Sequence, residues 1–388
     1  MSGSYVEPPG PWRAVLDRSS PQAAGFYMAL VGQALRYRMP ARRRLGSLAA
    51  LASRQGIPEG SLARALTLLP GRPRPDLDRL LGEVAEAWPS LRRPLAALPE
   101  DCPHLTALAL SRSAALTIFA FGSGPRPLLV LKVPAPGDPR ADREADALAD
   151  AAPAKVAPMS LGRVGDARVQ EALVGDPLAV EPLTPERARV LRWSRRFTAL
   201  GAAFAELASV TAKGEHPREL DERLSAAAGY NGLDHRTRVL VTAAAKDLAR
   251  LPVAVLRHGD ASAQNCLFRG QRFVGLVDWE SANPAGVAGS DVWNTALAYL
   301  DHGVGLVRWS EELMLETFRA AWSNSGFFEG ARAAARAAAE AAGVPDSHLD
   351  ALDVGVFAGR LGRRLREPGV FATGPEINAR MVEIVCDN

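Results

Sequence analysis

Residues 253–281 read VAVLRHGDASAQNCLFRGQRFVGLVDWES, and the way this stretch must turn decides the fold. It opens on an apolar β-run, Val253 to Leu256, that ends in His258-Gly259-Asp260. Asn265 follows after four intervening residues. CLF, the turn RGQR and FVGLV then form a short hairpin, which returns Asp278 to the place where the hairpin began. Asn265 and Asp278 are therefore expected to face one pocket although thirteen positions separate them.

Such a set suits phosphoryl transfer. That reaction needs an aspartate to orient or deprotonate the attacking hydroxyl, and hard oxygen ligands to hold magnesium over a triphosphate. Asp260 fits the first task. Asn265 offers a neutral carbonyl oxygen and Asp278 a carboxylate for the second. The order His-x-Asp, four residues, Asn has the spacing of the kinase catalytic loop. Gly259 lets the backbone turn sharply there.

HGDASAQN followed by GLVDWE is similar to the HGDxxxxN and φφDxE/DW motifs of the aminoglycoside phosphotransferase and choline kinase superfamily. The resemblance implies Asp260 as catalytic base, Asn265 and Asp278 as Mg²⁺ ligands, and His258 as a structural member of the loop. Glu280 matches an acidic position that some relatives use near the metal. Asp291, in AGVAGSDVWNTAL, resembles the family's aspartate that supports the loop from a helix start, although the usual proline before it is absent. The motifs span about residues 104–300.

Upstream, Lys132 stands in the apolar run LLVLKVP, where a lysine is costly unless paired. Lysine is scarce in this arginine-rich chain, occurring only at 132, 155, 213 and 246. Glu144, in the helical piece DREADAL, can supply the counter-charge, with Asp142 and Asp146 as rivals if the register differs. The Lys132–Glu144 pair resembles the strand lysine and helix glutamate that hold the α- and β-phosphates in kinase-like enzymes. The loop SRSAAL makes Ser111, Ser113 and nearby amides candidate phosphate contacts. VQEALVGDPL resembles an inter-lobe hinge, in which the backbone of Glu171 to Leu173 would bind the nucleotide base.

The texture along the chain supports three stretches. Residues 1–100 read as a helical N-terminal extension, with helices in GFYMALVGQALRYRM, SLAALASRQGIPEGSLARALTLL and over about 77–87. Residues 101–174 read as a small nucleotide-binding β-lobe of short runs separated by turns. Residues 175–388 read as a large, helical, catalytic and acceptor-binding lobe, apart from a β-like pair at 253–257 and 266–278. The expected fold is α+β, two-lobed and protein-kinase-like: an antiparallel sheet with one helix, then a helical lobe, with ATP (or GTP) between them.

A net charge of +3 over 388 residues makes no case for nucleic acid. Ala52, Gly56, Ile57 and Leu62 do have helix-turn-helix spacing, but two packed helices account for that segment as well. Three scattered cysteines form no metal-ligand or disulfide framework, and no signal peptide or apolar span is evident, which points to the cytoplasm and away from membranes. The expected function is an ATP- and Mg²⁺-dependent phosphotransferase acting on a hydroxyl of a small molecule such as a sugar or aminoglycoside. The alternative is a catalytically idle kinase-like nucleotide-binding protein with partner or DNA contacts through its N-terminal helices. Trp293, Asp301, Trp309, Trp322, Arg360, Arg363 and Arg364 are candidates for selecting the acceptor. The slight acidic excess after 301 falls short of the dense acidic wall a polycation would need.

Overall fold

The computed structural model describes residues 13–16 and 77–387, apart from 113–114, 125, 136, 250, 252, 325 and 368–373. The chain divides into two units, one running to Ala145 with Pro158–Val174, the other comprising Asp146–Ala157 and everything from Gly175.

The first unit is built on a six-stranded antiparallel sheet. Its strands are β1 (Arg13–Leu16), β2 (Thr106–Arg112), β3 (Ala115–Phe121), β4 (Pro127–Val133), β5 (Ser160–Val164) and β6 (Ala167–Glu171). They lie in the order β1-β2-β3-β4-β6-β5. Alternation along β4 sends Leu129 and Leu131 to one face, both wholly buried, and Lys132 to the other. Helix α1 (Leu77–Arg92) covers the apolar face with Val84, Trp88 and Leu91. Leu95 and Leu98 continue the same core beyond its end, and the Trp88 indole donates to the Pro99 carbonyl at 3.2 Å.

Two expectations change here. Residues 77–98 are not part of a separate extension, because their apolar side chains share one core with Ile118, Leu129 and Val169 of the sheet. Residues 13–16, within the stretch read as a helical extension, form a strand paired antiparallel with Leu108–Ser111. The predicted helices between residues 17 and 76, the helix-turn-helix spacing included, lie outside the described residues.

The second unit is mostly helical. Within it β8 (Ala254–Arg257) pairs with β11 (Asn283–Val287). The hairpin β9 (Cys266–Arg269) and β10 (Arg272–Leu276) carries the two-residue strand β7 (Asp176–Pro177) on its other edge. The β-like runs expected at 253–257 and 266–278 are strands, the second run forming the hairpin. The first run takes the strand after the hairpin as its partner, a choice made by long-range packing that local pattern does not encode. The helices that matter below are α5 (Arg218–Ala228), α7 (Ser290–Val307) and α10 (Leu349–Arg366). Trp293 and Trp322 stack at 5.5 Å in the core, so neither is a surface for stacking an acceptor. Among the described residues no helix is long and apolar enough to cross a membrane.

Removing Trp88 tests the assignment of residues 77–98 to the sheet's core. Trp88→Ala is expected to destabilise this unit by about 3–5 kcal/mol, the usual cost of deleting a buried aromatic. Chemical denaturation should show it, and a chain beginning at residue 101 should fail to give a stable sheet. A wild-type midpoint in Trp88→Ala would contradict the shared core.

Candidate active site

The loop after β8 is held by a single carboxylate. Asp291, in the first turn of α7, accepts from the backbone N–H of His258 at 2.6 Å and of Gly259 at 3.2 Å. Its Oδ1 also lies 3.5 Å from Nε of Arg257. One turn on, the Thr295 hydroxyl donates to the Ala261 carbonyl at 2.6 Å. Gly259 has φ +80°, and a Cβ there would stand 2.1 Å from the Ser281 carbonyl oxygen, so no side chain fits.

His258 is structural, as the resemblance implied. Its Nε2 bonds the Val277 carbonyl at 2.9 Å while Nδ1 receives the Asp260 N–H at 3.3 Å. A carbonyl only accepts and an amide only donates, so the two bonds together fix the Nε2–H tautomer. The buried ring meets Trp279 edge-on at 4.7 Å, and the Trp279 indole donates to the Leu276 carbonyl at 2.8 Å. The histidine thereby ties the His258–Asp260 loop to the end of the hairpin.

The hairpin returns as its sequence required. Leu276 pairs with Cys266, and the Val277 N–H donates to the Asn265 carbonyl at 3.0 Å. Asp278 comes next, with φ 69° and ψ 65°. This left-handed conformation, tolerated by aspartate better than by most residues, turns the chain out of the strand and leaves the carboxylate exposed. The Asn265 amide donates to the Asp260 carbonyl at 2.8 Å and to its carboxylate Oδ2 at 3.3 Å.

Asp260 touches solvent, yet protein surrounds it. That desolvation, reinforced by the Asp278 carboxylate and opposed by the Asn265 hydrogen bond, raises its pKa to about 6. Asp291 and Glu280 add to the rise. A carboxyl group so tuned is suited to general-base work near neutral pH.

The donor set suits a hard divalent cation. Asn265 spends its N–H groups on Asp260, leaving its Oδ1 directed elsewhere, and Asp278 adds an exposed carboxylate. Several carboxylates crowd Asp260 with like charge, which a cation would relieve. No cluster of three His, Cys, Asp or Glu suited to a metal occurs among the described residues. Two protein ligands are what Mg²⁺ commonly takes when phosphates and water supply the rest.

In the sheet unit, Lys132 Nζ lies 2.5 Å from Glu144 Oε1. Glu144 is buried in helix α2 (Pro139–Ala151). The rival Asp142 pairs with Arg168 instead. Ser111 pairs with Leu116 across the β2–β3 hairpin, while Ser113 lies outside the described residues. The Glu171 N–H donates to the Met159 carbonyl and that of Ala172 to the Leu128 carbonyl. Any base contact from Glu171 would therefore fall to its carbonyl. Leu173 is half-buried just before the division between the units.

Sequence reasoning missed Arg223 and Arg257, which join Arg360, Arg363, Arg364 and Asp301 in a cavity of about 290 Å³ beside Asp260. Arg257 adjoins the motif and was within reach; Arg223 has no local signal. Trp309, exposed, donates to Asp301 at 2.8 Å.

The site is an α+β framework that brings the His258-Gly259-Asp260 loop beside Asn265 and Asp278. The phosphotransferase enzyme family model matches residues 106–337, and the chain belongs to that family. No curated protein matches this chain significantly. Among solved structures it is similar to choline kinase from Cryptosporidium parvum Iowa II, at 12% identity and a TM-score of 0.39, over 80% of this chain and 94% of that one. It is also similar to macrolide 2′-phosphotransferase from Brachybacterium faecium, at 19% identity and a TM-score of 0.37, over 69% and 89%. A third is an ADP-bound aminoglycoside phosphotransferase, at 16% identity and a TM-score of 0.35, over 78% and 96%.

Asp291→Asn should expose how far the loop depends on this carboxylate. The amide keeps one acceptor oxygen, so one of the two loop N–H groups loses its partner, at a cost of about 1–3 kcal/mol. Thermal or urea unfolding reads the loss. Unchanged stability would show that the loop is held from elsewhere.

Proposed function

We propose that this protein is a small-molecule kinase that moves the γ-phosphoryl group of ATP, with GTP as the alternative nucleotide, to a hydroxyl of a small acceptor. The observation that carries this reading is the convergence of Asp260, Asn265 and Asp278, assembled by the Asn265 amide and by the hairpin's Val277–Asn265 bond. Each residue supplies one requirement of phosphoryl transfer.

Asp260 receives the acceptor's proton as the acceptor oxygen bonds to the γ-phosphorus. The bond from that phosphorus to the bridging oxygen breaks, and the nucleoside diphosphate leaves with the electron pair. Asn265 keeps the Asp260 carboxylate in place, and its own Oδ1 and the Asp278 carboxylate would hold Mg²⁺. When bound, Mg²⁺ neutralises phosphate charge that would otherwise oppose attack. In the sheet unit Lys132, steadied by Glu144, is a cation for the triphosphate. Ser111, Ser113 and the backbone of Glu171 to Leu173 are proposed as further nucleotide contacts.

Asp260→Asn is expected to lower turnover about 10²–10⁴-fold, the usual share of a general base, with Mg-ATP affinity nearly unchanged. A steady-state assay beside calorimetry separates the two, and near-normal kcat would remove Asp260 from the role. The metal ligands can be ranked in the same way. Asp278→Ala should abolish the Mg²⁺-dependent tightening of nucleotide binding more completely than Asn265→Ala, because it removes a full negative charge from a hard cation. If Asp278→Ala binds Mg-ATP normally while Glu280→Ala does not, the carboxylate ligand is Glu280.

A further inference from the structure

The cavity beside Asp260 lies wholly within the helical unit. Asp260, Gly259 and Ser262 form one side of it, and five arginines, at 223, 257, 360, 363 and 364, contribute to its lining. Against them the lining offers two carboxylates, Asp260 and Asp301. Each of the five arginines is half-buried, so solvent screens their charges less than it would on an open surface.

The fold brings these arginines together deliberately. Arg360, Arg363 and Arg364 stand at i, i+3 and i+4 on α10, hence on one face. A Cβ on Gly362 would lie 1.9 Å from the Arg223 carbonyl oxygen. Only a glycine permits this contact, in which the backbones of α10 and α5 meet and Arg223 joins the α10 arginines. The Arg360 guanidinium is held by neutral side chains, Asn378 at 3.1 Å and Asn294 at 3.4 Å, which orient it without cancelling its charge. Arg363 bonds Glu367, Arg223 bonds Glu219, and Arg257 approaches Asp291, itself occupied with the loop. Burial first, and then the neighbouring Arg360 and Arg363, push Arg364 down to about 9; burial brings Arg360 to about 10. Like charges packed this way oppose folding, and a bound anion would relieve them.

We propose that the acceptor is itself an anion: a small hydroxylated molecule whose carboxylate or phosphate group is received by Arg360, Arg363 and Arg364 while its hydroxyl faces Asp260. This identifies the substrate class of the kinase proposed above and rests on that reading. Guanidinium groups bind both oxyanions through paired N–H donors. At about 290 Å³ the cavity is at the small end of ligand pockets, which suits a compact metabolite. A polycationic acceptor would meet a wall in which guanidiniums outnumber carboxylates.

The test uses the full chain and two probes, malonate and inorganic phosphate, titrated calorimetrically into wild type, Arg364→Gln, Arg364→Lys and, as a control at an exposed lysine outside both sites, Lys246→Ala. At least one anion is expected to bind, and the tighter of the two distinguishes a carboxylate from a phosphate group. Arg364→Gln should weaken it about tenfold, as loss of a charged hydrogen bond does, with Arg364→Lys weakened less and Lys246→Ala unchanged. Arg363→Gln, at a more exposed position, serves as the second variant if Arg364→Gln does not fold. In parallel, ATP consumption is screened across hydroxy acids, sugar phosphates, neutral sugars and aminoglycosides. Equal anion affinity in all variants overturns the proposal, as does a neutral or cationic acceptor phosphorylated with the same kcat/KM in wild type and the arginine variants. Anion binding that depends on Arg364 in a protein that fails to bind Mg-ATP would instead overturn the kinase reading.

Discussion

The carboxylate of Asp291, gripping two successive backbone N–H groups behind the His258–Asp260 loop, is the interaction on which the rest of the site depends. A loop that turns through a left-handed glycine leaves its amides without strand partners, and buried amides must be satisfied. Asp291 satisfies both at once, from a helix whose first turn also places Thr295 under Ala261. The loop is therefore fixed from behind, and Asp260 is free to face the cavity. His258 and Trp279 add the second fastening, joining the loop to the hairpin that carries Asp278.

These fastenings explain how three chemically different side chains keep their positions with little help from their own surroundings. Asp260, Asn265 and Asp278 sit at a strand exit, a hairpin start and a hairpin end. Each is placed by backbone hydrogen bonds made by its neighbours. The cost is a concentration of negative charge, visible in the raised pKa of Asp260. In the sheet unit charge is balanced locally instead, with Lys132 and Glu144 in contact.

The arginine cavity next to this acidic site gives the helical unit two opposite electrostatic regions within one wall. Carboxylates converge near Asp260, and guanidiniums converge on α10 and α5. The acceptor proposed above would bridge them with a group for each, a hydroxyl and an oxyanion. Its selection would follow from charge as well as shape.

Much of the site was legible because its signals are local. Asp260, Asn265 and Asp278 follow from a hairpin with a readable turn, RGQR, and the Val277–Asn265 bond realises that geometry. Lys132 stood out as a charge in an apolar run, but only the packing of α2 chose Glu144 over Asp142, which Arg168 takes. The partner of β8 could not be read from its own run, since strand pairing over distance depends on the surrounding core. The boundary at residue 100 was misplaced because a helix and the sheet it covers announce no shared core in their own periodicities. Arg223 joined the cavity unseen: more than a hundred residues separate it from α10, and only Gly362 lets the two helices approach closely enough to unite them. The sequence by itself determined the chemical groups and their local turns, because those depend on neighbours along the chain. Tertiary structure decided which charges confront one another, because that depends on helices and strands distant in sequence meeting in space.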